Sequence, residues 1–378
     1  MDSLTQAALG AAVGTAVLGR RAGPRAALWG AVCGTLPDLD VLLSHGDPVR
    51  DFTFHRAETH ALFWLTLLSP LLGWLLARLN RDAAAWGRWA LLAWLALVTH
   101  ALLDAFTVYG TQLLLPFSDY PVGLGSVFII DPLYTLPLLA GVILALAWRR
   151  SRPDAAARAN AAGLLASTAY LAWGVAAQAH VEGEVHRSLA ATPIEAGRVL
   201  VTPTPFNTLL WRIVVMDDNG YHEGFRSLLD TTERVRLTYH GSRSDLVEPL
   251  RDQWAVRRLA WFSKGFYGIR EAPPNVSAIV GSAGTAAQLL GAVPVAAADA
   301  ATPGDAGARV VMSDLRMGQT PFFAFGFVVG TIGEDGVAPT DSLQVPTQRP
   351  PREALGWMWQ RIWHEDAGPP PGNARPGP

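Results

Sequence analysis

The sequence predicts a mainly α fold class: a polytopic helical membrane domain of about five or six transmembrane helices, followed by a soluble α+β extracytoplasmic domain. Three observations predict it. Half of the 378 residues are apolar and only 16% are charged. The apolar residues are unevenly placed, because the chain from Leu4 to His180 is rich in Ala, Leu and Trp with long uncharged runs, whereas the remainder reads as soluble sequence. The arginines of the first part gather in alternate connections between those runs. The composition shift divides the chain into a membrane domain at 1–180, a soluble domain at 181–363 and a disordered tail at 364–378.

A bilayer core is ~30 Å thick, so a spanning helix needs roughly 20 mainly apolar residues. Ala61 to Leu79, Arg88 to Val108, Pro132 to Trp148 and Ala161 to Ala179 meet that requirement well. Ala26 to Leu43 also qualifies, although Pro37, Asp38 and Asp40 interrupt its far end. Leu4 to Leu18 is short and rich in Gly and Ala; it spans or packs through small-residue contacts.

The loops set the orientation. Arg20, Arg21 and Arg25 follow the first segment; Arg78, Arg81 and Arg88 flank the gap between the third and fourth; Arg149, Arg150, Arg152 and Arg158 separate the fifth and sixth. The other two connections, His45 to Thr59 and Tyr109 to Ile130, are acidic or nearly neutral. Short loops rich in Lys and Arg stay in the cytoplasm. All three arginine loops therefore fall on one side of a bacterial inner membrane, and the soluble domain falls on the other.

In that domain "RVLVTP", "LLWRIVVMDD", "RVRLTYHG" and "FFAFGFVVG" read as strands, with turn signals at Asp217 to Gly220 and at His240 to Ser242. "EPLRDQWAVRRLAWFS" reads as a helix, Gly281 to Gly307 is ambiguous, and the Pro/Gly-rich tail reads as disordered. The net charge of −2 gives nucleic acid no electrostatic foothold. The single cysteine, Cys33, excludes an internal disulfide or a thiolate cluster. The start "MDSLTQAALG" has no basic region before its apolar run, so no cleaved signal peptide is expected.

The stretch "PDLDVLLSHGDPVRDFTFHRAETHALF" crowds acids and imidazoles between two apolar segments. Topology explains the crowding: Asp38 and Asp40 end the second helix, His55 and His60 precede the third, His100 and Asp104 end the fourth, and Asp131 opens the fifth. All fall at extracytoplasmic helix ends. In "THALLDAF" the histidine and aspartate are four apart, hence on one helix face about 6 Å apart and able to share a metal ion. A His–Asp bond sealing a helix end is the bland alternative. Two carboxylates two residues apart in "GTLPDLD" suit zinc, magnesium or manganese, or simply cap and hydrate a turn. His55 and His60 can share a site only if one lies in the loop and the other in the first helical turn. Arg56 suits a carboxylate or a substrate phosphate, or pairs with Glu58. Asp131 before Pro132 is a good N-cap, and near a metal it could ligate or orient a histidine. His45, Asp47 and Asp51 read as solvated loop residues, and His186, His222, His240 and His364 as surface or structural ones.

The runs "MDSLTQAALGAAVGTAVLGRR", "GTLPDLDVL", "FHRAETHALFW", "VTHALLDAFTVYGTQLLLPFS" and "FIIDPLYTLPLL" resemble the YdjM-like family of bacterial membrane-bound metal-dependent hydrolases. The likeness covers roughly the first half, and "PTPFNTLLWRIVV" is similar to the extension of longer members. The resemblance implies metal-assisted hydrolysis, with a distant similarity to zinc-dependent phospholipase C. It makes Asp38, Asp40, His55, His60, His100 and Asp104 the expected ligands, with Asp131 next. Members often carry histidine where this chain has Gln6, a poorer ligand, and a Gly-Phe-Ser run where it has Ala57-Glu58-Thr59.

The resulting expectation is a divalent metal, zinc first and magnesium or manganese as alternatives, held just inside the extracytoplasmic surface. An unliganded carboxylate, Asp40 or Asp131, would act as base, and Arg56 would steady negative charge on an ester or phosphoester of a membrane lipid. A non-catalytic metal-binding or ion-transport membrane protein is the rival, since buried ionisable groups also mark ion paths.

Overall fold

The computed structural model describes residues 1–194, 197–276, 307–347 and 350–372. The ambiguous Gly281–Gly307 run lies outside the described residues except for its last residue, as do positions 373–378 of the expected tail. The described chain forms two compact units.

The first unit comprises 1–40, 56–177 and 203–208. Its helices are α1 (Ser3–Ala22) and α2 (Pro24–Thr35), then α4 (Leu62–Leu79), α5 (Trp86–Ala105), α6 (Pro132–Trp148) and most of α7 (Pro153–Ala190), with α3 (Pro48–Phe54) belonging to the second unit. Asp2 caps α1 by accepting from the Leu4 and Thr5 amides. Gly23, at φ 58°, turns the chain and Pro24 opens α2. Proline is favoured at a first helical position because its missing N–H would be unpaired there anyway. α1 and α2 meet backbone to backbone: a Cβ on Gly30 would lie 2.1 Å from the Gly10 carbonyl oxygen. Such contact requires residues without side chains.

Among the described residues two helices, Leu62–Leu79 and Ala83–Ala105, are long and apolar enough to cross a membrane, and Pro132–Trp148 is apolar but shorter. This overturns the polytopic domain of five or six transmembrane helices. The other segments were read as spans because Ala and Gly count as apolar. The structure spends them otherwise. α2 is only 12 residues long and gives way at Leu36 to the Pro37–Leu42 turn, and the uncharged middle of α7 is diluted by Gly163, Ser167, Thr168, Tyr170 and Gln178. The candidate span α4 is unlike a soluble core helix, since only 28% of it is buried and Leu67, Leu71 and Trp74 are exposed on it. Exposed apolar surface of that extent marks contact with lipid or another protein.

The arginine connections do converge. Arg20 contacts Asp154 at 2.6 Å, and Arg21 grips Asp82 through two bonds of 2.6 and 2.9 Å. Surface pairs of this kind add little stability, but they show three connections sharing one end of the unit.

The second unit comprises 41–55, 178–202 and 209–378. One sheet has the order β1 (Val199–Pro203), β2 (Leu210–Asp217), β3 (Gly220–Ser227), β4 (Leu237–Gly241). After α8 (Trp254–Phe262) come β5 (Tyr267–Ala272), β6 (Ala308–Asp314), a short hairpin β7 (Gly318–Gln319) and β8 (Phe322–Phe323), then β9 (Gly326–Gly333) and β10 (Gly336–Val345). A second antiparallel sheet runs β10-β9-β6-β5, and α9 (Glu353–Trp363) closes the unit. The loop helix α3 docks here: Phe52 is 1% exposed against Phe262, Phe325 and Phe327.

Candidate metal centre

α5 supplies the framework. Its buried face carries His100 and Asp104, one turn apart and both fully buried. Pro37 begins a tight turn that brings Asp38 and Asp40 back toward the unit, and a second turn at Glu58–His60 delivers His60 just before α4. The result is a group of four: one ligand atom from each of Asp38, His60, His100 and Asp104 lies within 4.8 Å of all the others.

The hydrogen bonds around the two imidazoles fix their tautomers. His100 Nδ1 lies 2.6 Å from the Gly34 carbonyl oxygen, which can only accept. Nδ1 therefore carries the proton and Nε2 presents a lone pair. For His60, the Thr59 hydroxyl donates to Asp40 at 2.7 Å, so its oxygen accepts from His60 Nδ1 at 2.9 Å. Here too Nε2 is left as the acceptor. The two Nε2 atoms are 3.0 Å apart. Two lone pairs at that distance repel unless a proton on one ring or a bound cation lies between them. Donating the remote ring N–H to a carbonyl or carboxylate system is also how metal-bound histidines are usually oriented.

The carboxylates complete the argument. Asp38 Oδ1 is 3.5 Å from both Nε2 atoms, and Asp104 Oδ2 is 3.3 Å from that of His60 and 3.5 Å from that of His100. Both oxygens are buried without a well-aligned hydrogen bond among the described residues, and the cationic group nearest Asp104 Oδ2 is the Arg56 guanidinium at 3.2 Å. A buried carboxylate oxygen without such a bond is costly, and a cation removes that cost. Burial opposes charge on His60, yet the Asp104 and Asp38 carboxylates raise its pKa overall. Burial likewise opposes ionisation of Asp38, but the imidazoles of His100 and His60 and the charge of Arg56 hold its carboxyl well below the usual range. The donor set of two nitrogens and two carboxylates fits a divalent cation.

The remaining expected residues take other places. Asp40 lies one step back: it accepts from the Arg56 amide at 3.0 Å and from Thr59, and so anchors the loop that carries His60. Arg56 adopts φ 66°, a strained conformation for a residue with a side chain. Its guanidinium lies 3.2 Å from Asp104 Oδ2, donates to Thr107 Oγ1 at 3.2 Å and covers the Tyr109 ring. His55 is outside the group of four, as the residue ending α3. Asp131 is also outside it; its carboxylate caps α6 through the Leu133 amide and accepts from Tyr170 Oη at 2.8 Å. Asp47 caps α3, and His45 pairs with Asp51 at 3.2 Å.

Sequence reasoning missed three supporting groups. Gln6 donates to Asp104 Oδ1 at 3.0 Å, Thr59 sets the His60 tautomer, and the Met1 ammonium contacts Asp104. Only the threonine beside the histidine left a visible trace in the sequence.

Residues 1–181 match the family model described as YdjM inner membrane protein. Over this stretch the chain is similar to the YdjM family. The match begins at Met1, ends inside α7, and contains all four residues of the group. Part of the chain is also similar to an uncharacterized protein, YfhP, of Bacillus subtilis, at 26% identity over 261 residues, covering 61% of this chain and 76% of that one. No solved structure matches the chain. The YdjM description agrees with the two apolar helices in pointing to the inner membrane.

Proposed function

We propose that the YdjM stretch is a divalent-cation-dependent hydrolase acting on an ester or phosphoester at the extracytoplasmic face of the inner membrane. The observation that carries the reading is the convergence of Asp38, His60, His100 and Asp104 with both Nε2 lone pairs directed into the group. A cation held there supplies Lewis-acid polarisation and lowers the pKa of water to ~7. The chain's own residues do the rest. Arg56, fixed by Asp104 and Thr107, presents a charged fork suited to the oxygens of a phosphoryl group. Asp40 holds the Arg56 amide and the Thr59 hydroxyl, so it positions both the fork and His60. Arg78, Arg81 and Arg88 surround the α4–α5 connection, and the positive-inside rule assigns that end to the cytoplasm. Twenty residues of α5 at 1.5 Å per residue separate it from Asp104 by about 30 Å, the thickness of a bilayer core.

One observation favours a second reading, metal binding without turnover. Four protein ligands and near-complete burial resemble a closed structural site rather than an open catalytic one. Asp38, with a side chain 20% exposed, is the side from which substrate would enter. Purified full-length protein, supplied in turn with zinc, manganese and magnesium, should be assayed against phosphodiester, phosphomonoester and carboxylester lipids. Turnover with at least one class, abolished by His60→Ala and retained in Asp131→Asn, supports hydrolysis. Tight metal binding with no turnover across the panel supports the closed site instead.

A further inference from the structure

The second unit holds a cleft of about 1120 Å³ between strands β4 and β5, which are the edge strands of their two sheets. It exceeds the usual range of roughly 300–1,000 Å³ for small-molecule pockets. Its walls mix apolar and aromatic side chains, including Phe225, Leu237, Phe323 and Trp357, with polar ones such as Thr238, Ser313 and Thr320. The charges in the lining are unevenly matched. Glu223 is 3% exposed and takes Arg212 at 2.6 Å; Arg361 is taken by Asp230 at 2.6 Å; Glu365 accepts from Thr231 and Thr232. That leaves Arg236, Arg270 and Asp366 among the charged lining residues. Neither arginine forms an ion pair among the described residues. Both guanidiniums are exposed at the lining, within reach of an anion that enters the cleft.

Two guanidiniums against one carboxylate, Asp366, leave the lining of a large, partly apolar cleft net positive, which matches a molecule with a negative head and a long apolar body. A free anion would leave the cleft wet, and a neutral or zwitterionic amphiphile would leave the arginines without net countercharge. We propose that the cleft between β4 and β5 binds a single anionic amphiphile, a fatty acid or an anionic lysophospholipid, with Arg236 and Arg270 on its head and the Phe225, Leu237, Phe323 and Trp357 side chains along its tail. Both head classes offer the same oxygen acceptors to a planar guanidinium.

Native mass spectrometry of the full chain, released from a neutral maltoside detergent, tests this with four probes: oleate, lysophosphatidylglycerol, lysophosphatidylcholine and inorganic phosphate. One equivalent of oleate or of lysophosphatidylglycerol should be retained, and which of them is retained more tightly identifies the head class. Arg236→Gln/Arg270→Gln should weaken that retention at least tenfold, and Thr238→Trp, which fills the lining without changing charge, should block it. Both variants alter exposed side chains, and unchanged thermal unfolding confirms that they fold. Undiminished retention in both variants overturns the proposal, since it assigns the lipid to the apolar helices. Equal retention of lysophosphatidylcholine, or phosphate retained as tightly as the amphiphiles, overturns it as well.

Discussion

Asp104→Ala is expected to abolish metal retention and to destabilise the first unit by about 3–5 kcal/mol, because it leaves a buried guanidinium without its carboxylate. Asp104 is fully buried and is the meeting point of the site: Gln6 donates to it at 3.0 Å, Arg56 lies 3.2 Å away, and both imidazoles lie within 3.5 Å. Asp104→Asn separates the two losses. Asparagine can still accept from Gln6 and fills the same volume, so part of the stability should return while metal retention does not. Elemental analysis and denaturant unfolding of the three proteins read the two effects independently. A full complement of metal in the alanine variant would remove Asp104 from the ligand set.

Arg56→Gln should act in the opposite sense on the metal. The guanidinium is a positive charge beside the ligand group, so its removal relieves repulsion of a bound cation. At an effective dielectric near 20 two unit charges several ångströms apart interact by a few kcal/mol, and screening and relaxation reduce the net gain to roughly tenfold in affinity. Hydrolysis should nevertheless fall by about 10²–10³, the usual cost of losing a group that stabilises developing negative charge. Competition titration with a metal chelator and turnover measurements distinguish the two quantities. If metal binding and turnover both collapse, Arg56 is holding the ligand scaffold together rather than serving the reaction. Its left-handed backbone makes Arg56→Gly the control, since glycine removes the strain as well as the charge.

The candidate site was more legible than the fold. Four-residue spacing placed His100 and Asp104 on one face of a helix, and that face is the buried face of α5. Asp38 and His60 were legible as residues at the ends of apolar runs, though not which of Asp38 and Asp40, or of His55 and His60, would enter the group. That choice depends on two short turns, Pro37–Leu42 and Glu58–His60, whose geometry no periodicity encodes. The span count failed because hydropathy does not separate lipid-facing residues from helices that pack through glycine. Gly10 and Gly30 register as apolar, yet they touch a neighbouring backbone and not a bilayer. In the second unit the strands with clean apolar runs were visible, including β2 and β9. β3 was not, because its alternation is hidden by polar side chains, Glu223 and Arg226, that the fold buries by pairing them with Arg212 and Glu184.

The central claim is that Asp38, His60, His100 and Asp104 share one cation. X-ray absorption at the edge of whatever divalent metal the purified full-length protein retains tests it most directly. The account predicts a nitrogen and oxygen shell with the outer-shell scattering of two imidazoles, reduced to one in His60→Ala and in His100→Ala. A sulfur-containing shell, a fully hydrated ion, or a two-imidazole signal unchanged in either variant would contradict it.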